Sequence, residues 1–169
     1  LLNKAKGQVL EVGVGTGANL ALYPDRIISL IGVDFSIEML KIAKTKAKTI
    51  NPPFPIELLD VDIQDLPFAD NTFDSIVSTC VFCSVPNPIK GLKELKRVCK
   101  PEGRILMLEH MRSDNKLAGT VMDLLNPLTV NLWGANINRD NEKHSRCRPF
   151  CYVRRPAYGI DYKETYSFS

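Results

Sequence analysis

Glu11-Val-Gly13-Val-Gly15-Thr-Gly17-Ala18 is the stretch that decides the fold. It ends the short apolar run 8–12, which reads as a strand, and it opens a predicted helix over 18–22 that stops before Pro24. Glycines directly after a strand let the backbone approach a ligand closely, and the first N–H groups of a following helix are free to bind it. Gly13, Gly15 and Ala18 also satisfy the dinucleotide fingerprint in its glycine/alanine form. Asp34 stands 21 residues after Gly13, at the end of the continuous β-branched run 27–33. A carboxylate there can accept both hydroxyls of a ribose, so the two features together predict an adenosine-containing cofactor.

Working outward, Ser36 is a predicted N-cap for an amphipathic helix over 37–48, with Leu40, Ala43 and Ala47 on one face and lysines on the other. Asn51-Pro-Pro-Phe-Pro55 breaks the chain. Further strands are predicted over 56–61, 73–79 and 104–108, with a helix over 88–98 and a turn over 100–103. Strands alternating with helices imply right-handed crossovers, hence a three-layer α/β domain with a mostly parallel sheet. Past Glu109 a helix over 117–125 is expected to break near Pro127, with a helix over 117–133 as the alternative. Residues 141–156 lack the apolar alternation of a buried sixth strand, so the C-terminal strands are expected to be atypical or missing.

Composition narrows the classes. The chain has 169 residues, 44% hydrophobic and 24% charged, which is globular rather than disordered. Its net charge of +3 is uneven: residues 1–138 carry 15 basic and 15 acidic side chains, and 139–169 carry seven and four. The balanced body gives no electrostatic case for nucleic acid. The expected organisation is a cofactor-binding domain over 1–138 and a basic tail over 139–169. No apolar run approaches the ~20 residues that span a bilayer. Five cysteines, an odd number in a chain of this size, point to a reducing, cytoplasmic setting. Lys41, Lys44, Lys46 and Lys48 read as a solvated helix face, with peripheral contact to a membrane surface as the minority reading.

Three places discriminate between adenosine cofactors. Glu11 lies two residues before the first glycine, where a dinucleotide site usually holds an apolar residue. A carboxylate there suits an ammonium group, directly or through water. Asp62, closing the third strand, can accept the adenine amino group while the Ile63 N–H reaches the ring. Asp65-Leu-Pro-Phe68 then leads towards the fourth strand.

These stretches, with 31–40, 73–79 and 95–109, resemble class I S-adenosylmethionine-dependent methyltransferases of the small-molecule branch that includes the ubiquinone/menaquinone C-methyltransferases. Thr79-Cys-Val-Phe-Cys-Ser-Val-Pro-Asn-Pro88 and Leu108-Glu-His110 are most similar to methyltransferase-like thiol methyltransferases and bacterial phospholipid N-methyltransferases. The resemblance implies that Glu11, Gly13, Gly15 and Gly17 serve the methionine moiety of S-adenosyl-L-methionine. It implies Asp34 at the ribose with Phe35 and Met39 beside the adenosine, Asp62 and Ile63 at adenine, and Thr79 with Cys80 near the sulfonium. S-adenosyl-L-homocysteine would be the product. No Asn-Pro-Pro-aromatic sequence follows the fourth strand, which disfavours enzymes that methylate nucleobase or glutamine amino groups. The N-terminal helical segment that usually helps cover the acceptor in this branch is expected to be either absent or removed ahead of Leu1.

The expected function is methyl transfer to a small, apolar or amphipathic acceptor of thiol, lipid-headgroup or quinol type. Cys83, facing the pocket while Cys80 packs in the sheet, and His110, just past the fifth strand, are the candidates for acceptor contact. His110 is the ionisable group best placed to act as a base. The alternatives are a cofactor-binding methyltransferase-like protein with little activity and an NAD-dependent oxidoreductase. No metal is expected: Cys80-x-x-Cys83 lacks a second pair, and His144, Cys147 and Cys151, which could supply three ligands in the tail, are the minority reading. Oligomeric state has no signature in the sequence.

Overall fold

The computed structural model describes residues 1–110, 116–133 and 150–155. Six strands, β1 (Gly7–Val12), β2 (Ile27–Asp34), β3 (Ile56–Asp60), β4 (Phe73–Thr79), β5 (Cys99–His110) and β6 (Phe150–Arg155), form one sheet in the order β3-β2-β1-β4-β5-β6. Every neighbouring pair is parallel. Helices α1 (Ile37–Ile50), α2 (Pro88–Val98) and α3 (Lys116–Trp133), with the 3₁₀ turns Leu2–Lys4 and Leu20–Leu22, complete the described elements.

Alternation along the strands splits the core into two layers. Leu10, Val12, Ile76, Ile105 and Met107 point to one face and pack with Leu92, Leu95 and Val98 of α2. Val9, Leu30, Val77 and Leu106 point to the other and pack with Leu40 and Ala43 of α1. Strands covered on both faces read as continuous apolar runs, which is why β2 and β5 were legible without alternation. Both helices start on side-chain caps: the Ser36 hydroxyl accepts from the Met39 N–H at 3.4 Å, and Asn87 accepts from the Lys90 N–H at 3.1 Å with Pro88 in the first turn.

Several expectations are corrected. The helix predicted over 18–22 is a three-residue 3₁₀ turn, Leu20–Leu22, because Pro24 leaves too little chain after Gly17 for a full helix. The turn predicted over 100–103 is absorbed into β5, whose register against β4 jumps between the pairs Phe73–Cys99 and Ser75–Arg104. Pro127 does not end α3; the helix passes through it, and the Thr129 hydroxyl donates to the Asn126 carbonyl at 2.9 Å. Phe150–Arg155 forms a sixth strand despite its lack of apolar alternation, since an edge strand beside β5 is held by ladder hydrogen bonds, from Ile105–Phe150 through His110–Arg155. Part of the 139–169 tail, Phe150–Arg155, thus belongs to the sheet.

Candidate active site

The strand order reverses direction at β1, which has β2 on one side and β4 on the other, and a crevice opens there at the carboxyl ends of the strands. A cleft of about 460 Å³ fills it. The turn after β1 forms one wall, with Gly13, Gly15 and Gly17 all at positive φ (64°, 54° and 73°), a conformation that L side chains rarely adopt. The three glycines do different work. A Cβ on Gly13 would sit 2.3 Å from Val81 Cγ2, so its bareness lets the β4 loop close on the turn. A Cβ on Gly15 would project into the cleft, its nearest neighbour Met39 Sδ at 3.7 Å. Gly17 does not line the cleft; it faces Leu20 Cδ1 and the Ala43 backbone, allowing the turn to pack on α1.

Asp34 ties this wall to the next. Its Oδ2 accepts from the Gly15 N–H at 2.8 Å and its Oδ1 from the Ser36 N–H at 2.9 Å. Phe35 and Met39 line the same cleft yet are 74% and 46% exposed, apolar surfaces with room beside them for a planar ring. Asp62 and the buried Ile63 stand on the facing wall. Gln64, which sequence reasoning missed, donates from its backbone and side chain to Asp62 at 2.8 to 3.1 Å. Its Oε1 accepts from the Asn87 N–H at 2.9 Å, linking the Asp62 wall to the start of α2. Asp62, expected to close the third strand, stands two residues beyond the end of β3, and a glutamine two residues past it was the available signal.

Glu11 does not reach the cleft wall. It is buried on the α1 face, where Oε1 accepts from Asn19 Nδ2 at 2.7 Å and Oε2 from the Tyr23 hydroxyl at 3.1 Å. Burial pushes its carboxyl up to about 7, partly offset by those two hydrogen bonds. The same burial, with the neighbouring carboxylate, raises Tyr23 well above the ordinary phenol range. Asn19 Nδ2 also donates to Thr79 Oγ1 at 3.3 Å. Glu11 and Thr79 are thus joined beneath the glycine turn through Asn19, a residue without a motif of its own.

The expectation that Cys80 packs in the sheet while Cys83 faces the pocket is corrected. Cys80 takes a left-handed conformation (φ 57°), turns the chain out of β4 and lines the cleft as an exposed residue. Cys83 is half-buried, its thiol donating to the Cys80 carbonyl at 3.4 Å and lying 3.6 Å from the Ser84 hydroxyl, and it is not part of the cleft wall. Val81 and Ser84 line the cleft instead and were missed, because a non-glycine left-handed turn shifts which face the following residues present. His110 closes β5 at the same edge of the sheet; the acceptor contact expected of its side chain lies outside the described part of the chain. His144 and Cys147 also lie outside the described residues. Among the described residues no group of three or more His, Cys, Asp or Glu is placed to hold a metal ion.

Residues 10–107, which run from the middle of β1 through most of β5 and carry the whole cleft, match the model of the methyltransferase domain family. The chain belongs to that family. Its fold is the class I S-adenosylmethionine-dependent methyltransferase fold. The methyltransferase domain is 39% identical over 113 residues to a phosphatidylethanolamine N-methyltransferase of Cereibacter sphaeroides, covering 67% of this chain and 55% of the relative. It is 37% identical over 106 residues to the ubiquinone/menaquinone biosynthesis C-methyltransferase UbiE of Geotalea daltonii, covering 61% and 45%. The chain thus spans about half the length of these curated relatives. The crystal structure of the YcgJ protein of Bacillus subtilis shares the fold, with a TM-score of 0.70 at 23% identity over 83% of this chain and 59% of that one. The dinucleotide alternative is not favoured. A pyrophosphate is held at the N-terminus of a full helix, and the methyltransferase domain offers only the short Leu20–Leu22 turn after its glycines.

Proposed function

We propose that the domain binds S-adenosyl-L-methionine in this cleft and transfers its methyl group to a small amphipathic acceptor, releasing S-adenosyl-L-homocysteine. The observation that carries the reading is the meeting of two carboxylates, Asp34 and Asp62, with an open glycine turn and two exposed apolar side chains around one cleft. The group fits this donor set. Asp34 suits the ribose diol, Asp62 with the Ile63 N–H suits adenine, and Phe35 and Met39 flank the base. The bare face of Gly15 admits the methionine end, near the Glu11–Asn19–Thr79 network, and Cys80 closes the floor.

When bound, S-adenosyl-L-methionine supplies a sulfonium methyl that is already activated for in-line transfer. The chain then needs to hold the methyl donor, align an acceptor and exclude water. A base matters only for an acceptor that arrives protonated, and His110 at the end of β5 is the candidate for that contact. The relatives named for a phospholipid amine and for a quinone support an amphipathic acceptor of lipid-headgroup or quinol type, with thiols as the third class to test. No helix among the described residues is long and apolar enough to cross a membrane. The odd cysteine count supports a reducing, cytoplasmic setting.

Calorimetry with S-adenosyl-L-homocysteine against NAD, then turnover on a panel of phospholipid amines, quinols and thiols, tests the proposal. Binding of the former alone, with turnover, supports it. Binding without turnover on any class makes this a cofactor-binding protein with little activity, and NAD binding overturns the cofactor assignment.

A further inference from the structure

Glu11 and Glu109 are the buried carboxylates among the described residues, and the second plays no part in the chemistry above. Glu109 sits at the end of β5 with no solvent exposure, on the α2 face of the sheet. Its Oε1 accepts from the Ser78 hydroxyl at 2.7 Å and from the Val81 N–H at 3.1 Å; its Oε2 accepts from the Phe82 N–H at 3.1 Å. All three donors are neutral. A carboxylate placed at full burial to collect donors from one short segment is expensive unless the segment needs to be held there.

That segment is the β4 loop. The ladder between β4 and β5 ends where the Cys80 N–H donates to the Leu108 carbonyl at 2.7 Å, and Cys80 then turns left-handed. From there Glu109 takes over from the ladder, gripping the next two amides. Val81, so held, closes on Gly13, where no Cβ could be accommodated. Phe82 is fully buried, and its ring packs over Gly91 of α2. The loop that follows contributes Ser84, Val85 and Pro86 to the cleft.

We propose that Glu109 is a positioning residue for methyl transfer: it sets the height of the Cys80–Val81 floor against the glycine turn and thereby the fit of the cofactor. This rests on the reading of the cleft as the S-adenosyl-L-methionine site. Glu109→Gln preserves volume but turns an N–H₂ towards at least one of the donors it now accepts from. Ser75→Ala, which removes a fully buried hydroxyl bonded to the Lys6 backbone at the opposite end of β4, is the control for general destabilisation.

Hydrogen exchange of the Val81 and Phe82 amides in the cofactor-free protein should accelerate at least about tenfold in Glu109→Gln, the loss of one net hydrogen bond, and not in Ser75→Ala. The dissociation constant for S-adenosyl-L-homocysteine should rise about tenfold in the first and stay unchanged in the second. Unchanged amide exchange overturns the anchor, and faster exchange with unchanged affinity overturns its role at the cofactor. A wild-type chain that does not bind S-adenosyl-L-homocysteine defeats the cleft assignment and with it the positioning role, while the exchange measurement still decides whether Glu109 holds the loop. Ser78→Ala removes one donor and leaves the carboxylate in place, so it serves if Glu109→Gln does not fold. It should move both readings about threefold in the same direction, and no movement in either overturns the proposal.

Discussion

The Gly15 N–H donates to the Asp34 carboxylate at 2.8 Å, joining the glycine turn after β1 to the end of β2. One side chain thereby shapes two walls of the cleft and keeps capacity on both oxygens for a ligand diol.

Replacing that carboxylate should be felt at the cofactor first. Asp34→Ala is expected to weaken S-adenosyl-L-homocysteine binding by about 1.5–3 kcal/mol, the range for hydrogen bonds to a charged group. Asp70→Ala, which removes an exposed carboxylate on Arg97 away from the cleft, should change it less than about twofold. Calorimetry on both variants decides, and equal affinities would discredit the ribose assignment.

The glycines should separate stability from binding. Gly13→Ala combines a left-handed backbone with a collision at Val81, and should destabilise by about 3 kcal/mol. Gly15→Ala carries the backbone penalty alone, about 1 kcal/mol, yet projects a methyl into the cleft. Thermal melts should rank Gly13→Ala as the less stable, and ligand titration should show Gly15→Ala as impaired although largely folded.

Glu11 makes stability depend on pH. Its carboxyl is raised from 4.5 to about 7, so between those values the folded state holds a proton that the unfolded state releases. The contribution is complete below about pH 4.5, falls as pH rises through 7, and is constant above. The loss is on the order of 3 kcal/mol at 1.36 kcal/mol per unit. Urea denaturation at pH 5 and pH 8 should show wild type weaker at pH 8, and Glu11→Gln should reduce the difference. Glu109, also raised by burial, leaves part of the slope in place.

Arg97 is a staple rather than a site residue. It donates to Glu94, to Asp70 and to the carbonyls of Leu66 and Phe68, holding the segment before β4 against α2. Arg97→Met should destabilise by about 1–3 kcal/mol, chiefly through the two carbonyls that lose their donor. Asp70→Ala should shift the melting temperature far less, because that pair is exposed.

Alkylation should distinguish the cysteines. Cys80 is exposed in the cleft, whereas Cys99 is buried with its thiol pushed up to about 11 by burial and by Asp74. Peptide mapping after iodoacetamide should find Cys80 modified well before Cys99. S-adenosyl-L-homocysteine should protect Cys80; modification at an unchanged rate would place the ligand elsewhere.

Periodicity and punctuation made most of the architecture legible. Phe73–Thr79 and Pro88–Val98 stand at the boundaries expected of them, because apolar runs bounded by caps, proline and glycine have few alternative readings. The elements that escaped are those whose state depends on a neighbour. Leu20–Leu22 stays a single turn between Gly17 and Pro24, and Phe150–Arg155 is a strand through its pairing with β5.

Sequence alone determined five of the six described strands, their direction and the residues gathered at their carboxyl edge, since these follow from local pattern and from the handedness of parallel crossovers. Tertiary structure alone decided which of those residues face the cleft. Glu11 is held away from it by Asn19 and Tyr23, Gly17 packs on α1, and Cys83 lies off the wall that Cys80 lines. The physical reason is that side-chain direction past a strand end is set by single left-handed turns and by buried partners far away in the chain. Glu109, 28 residues from Val81, is the partner that local sequence could not reveal.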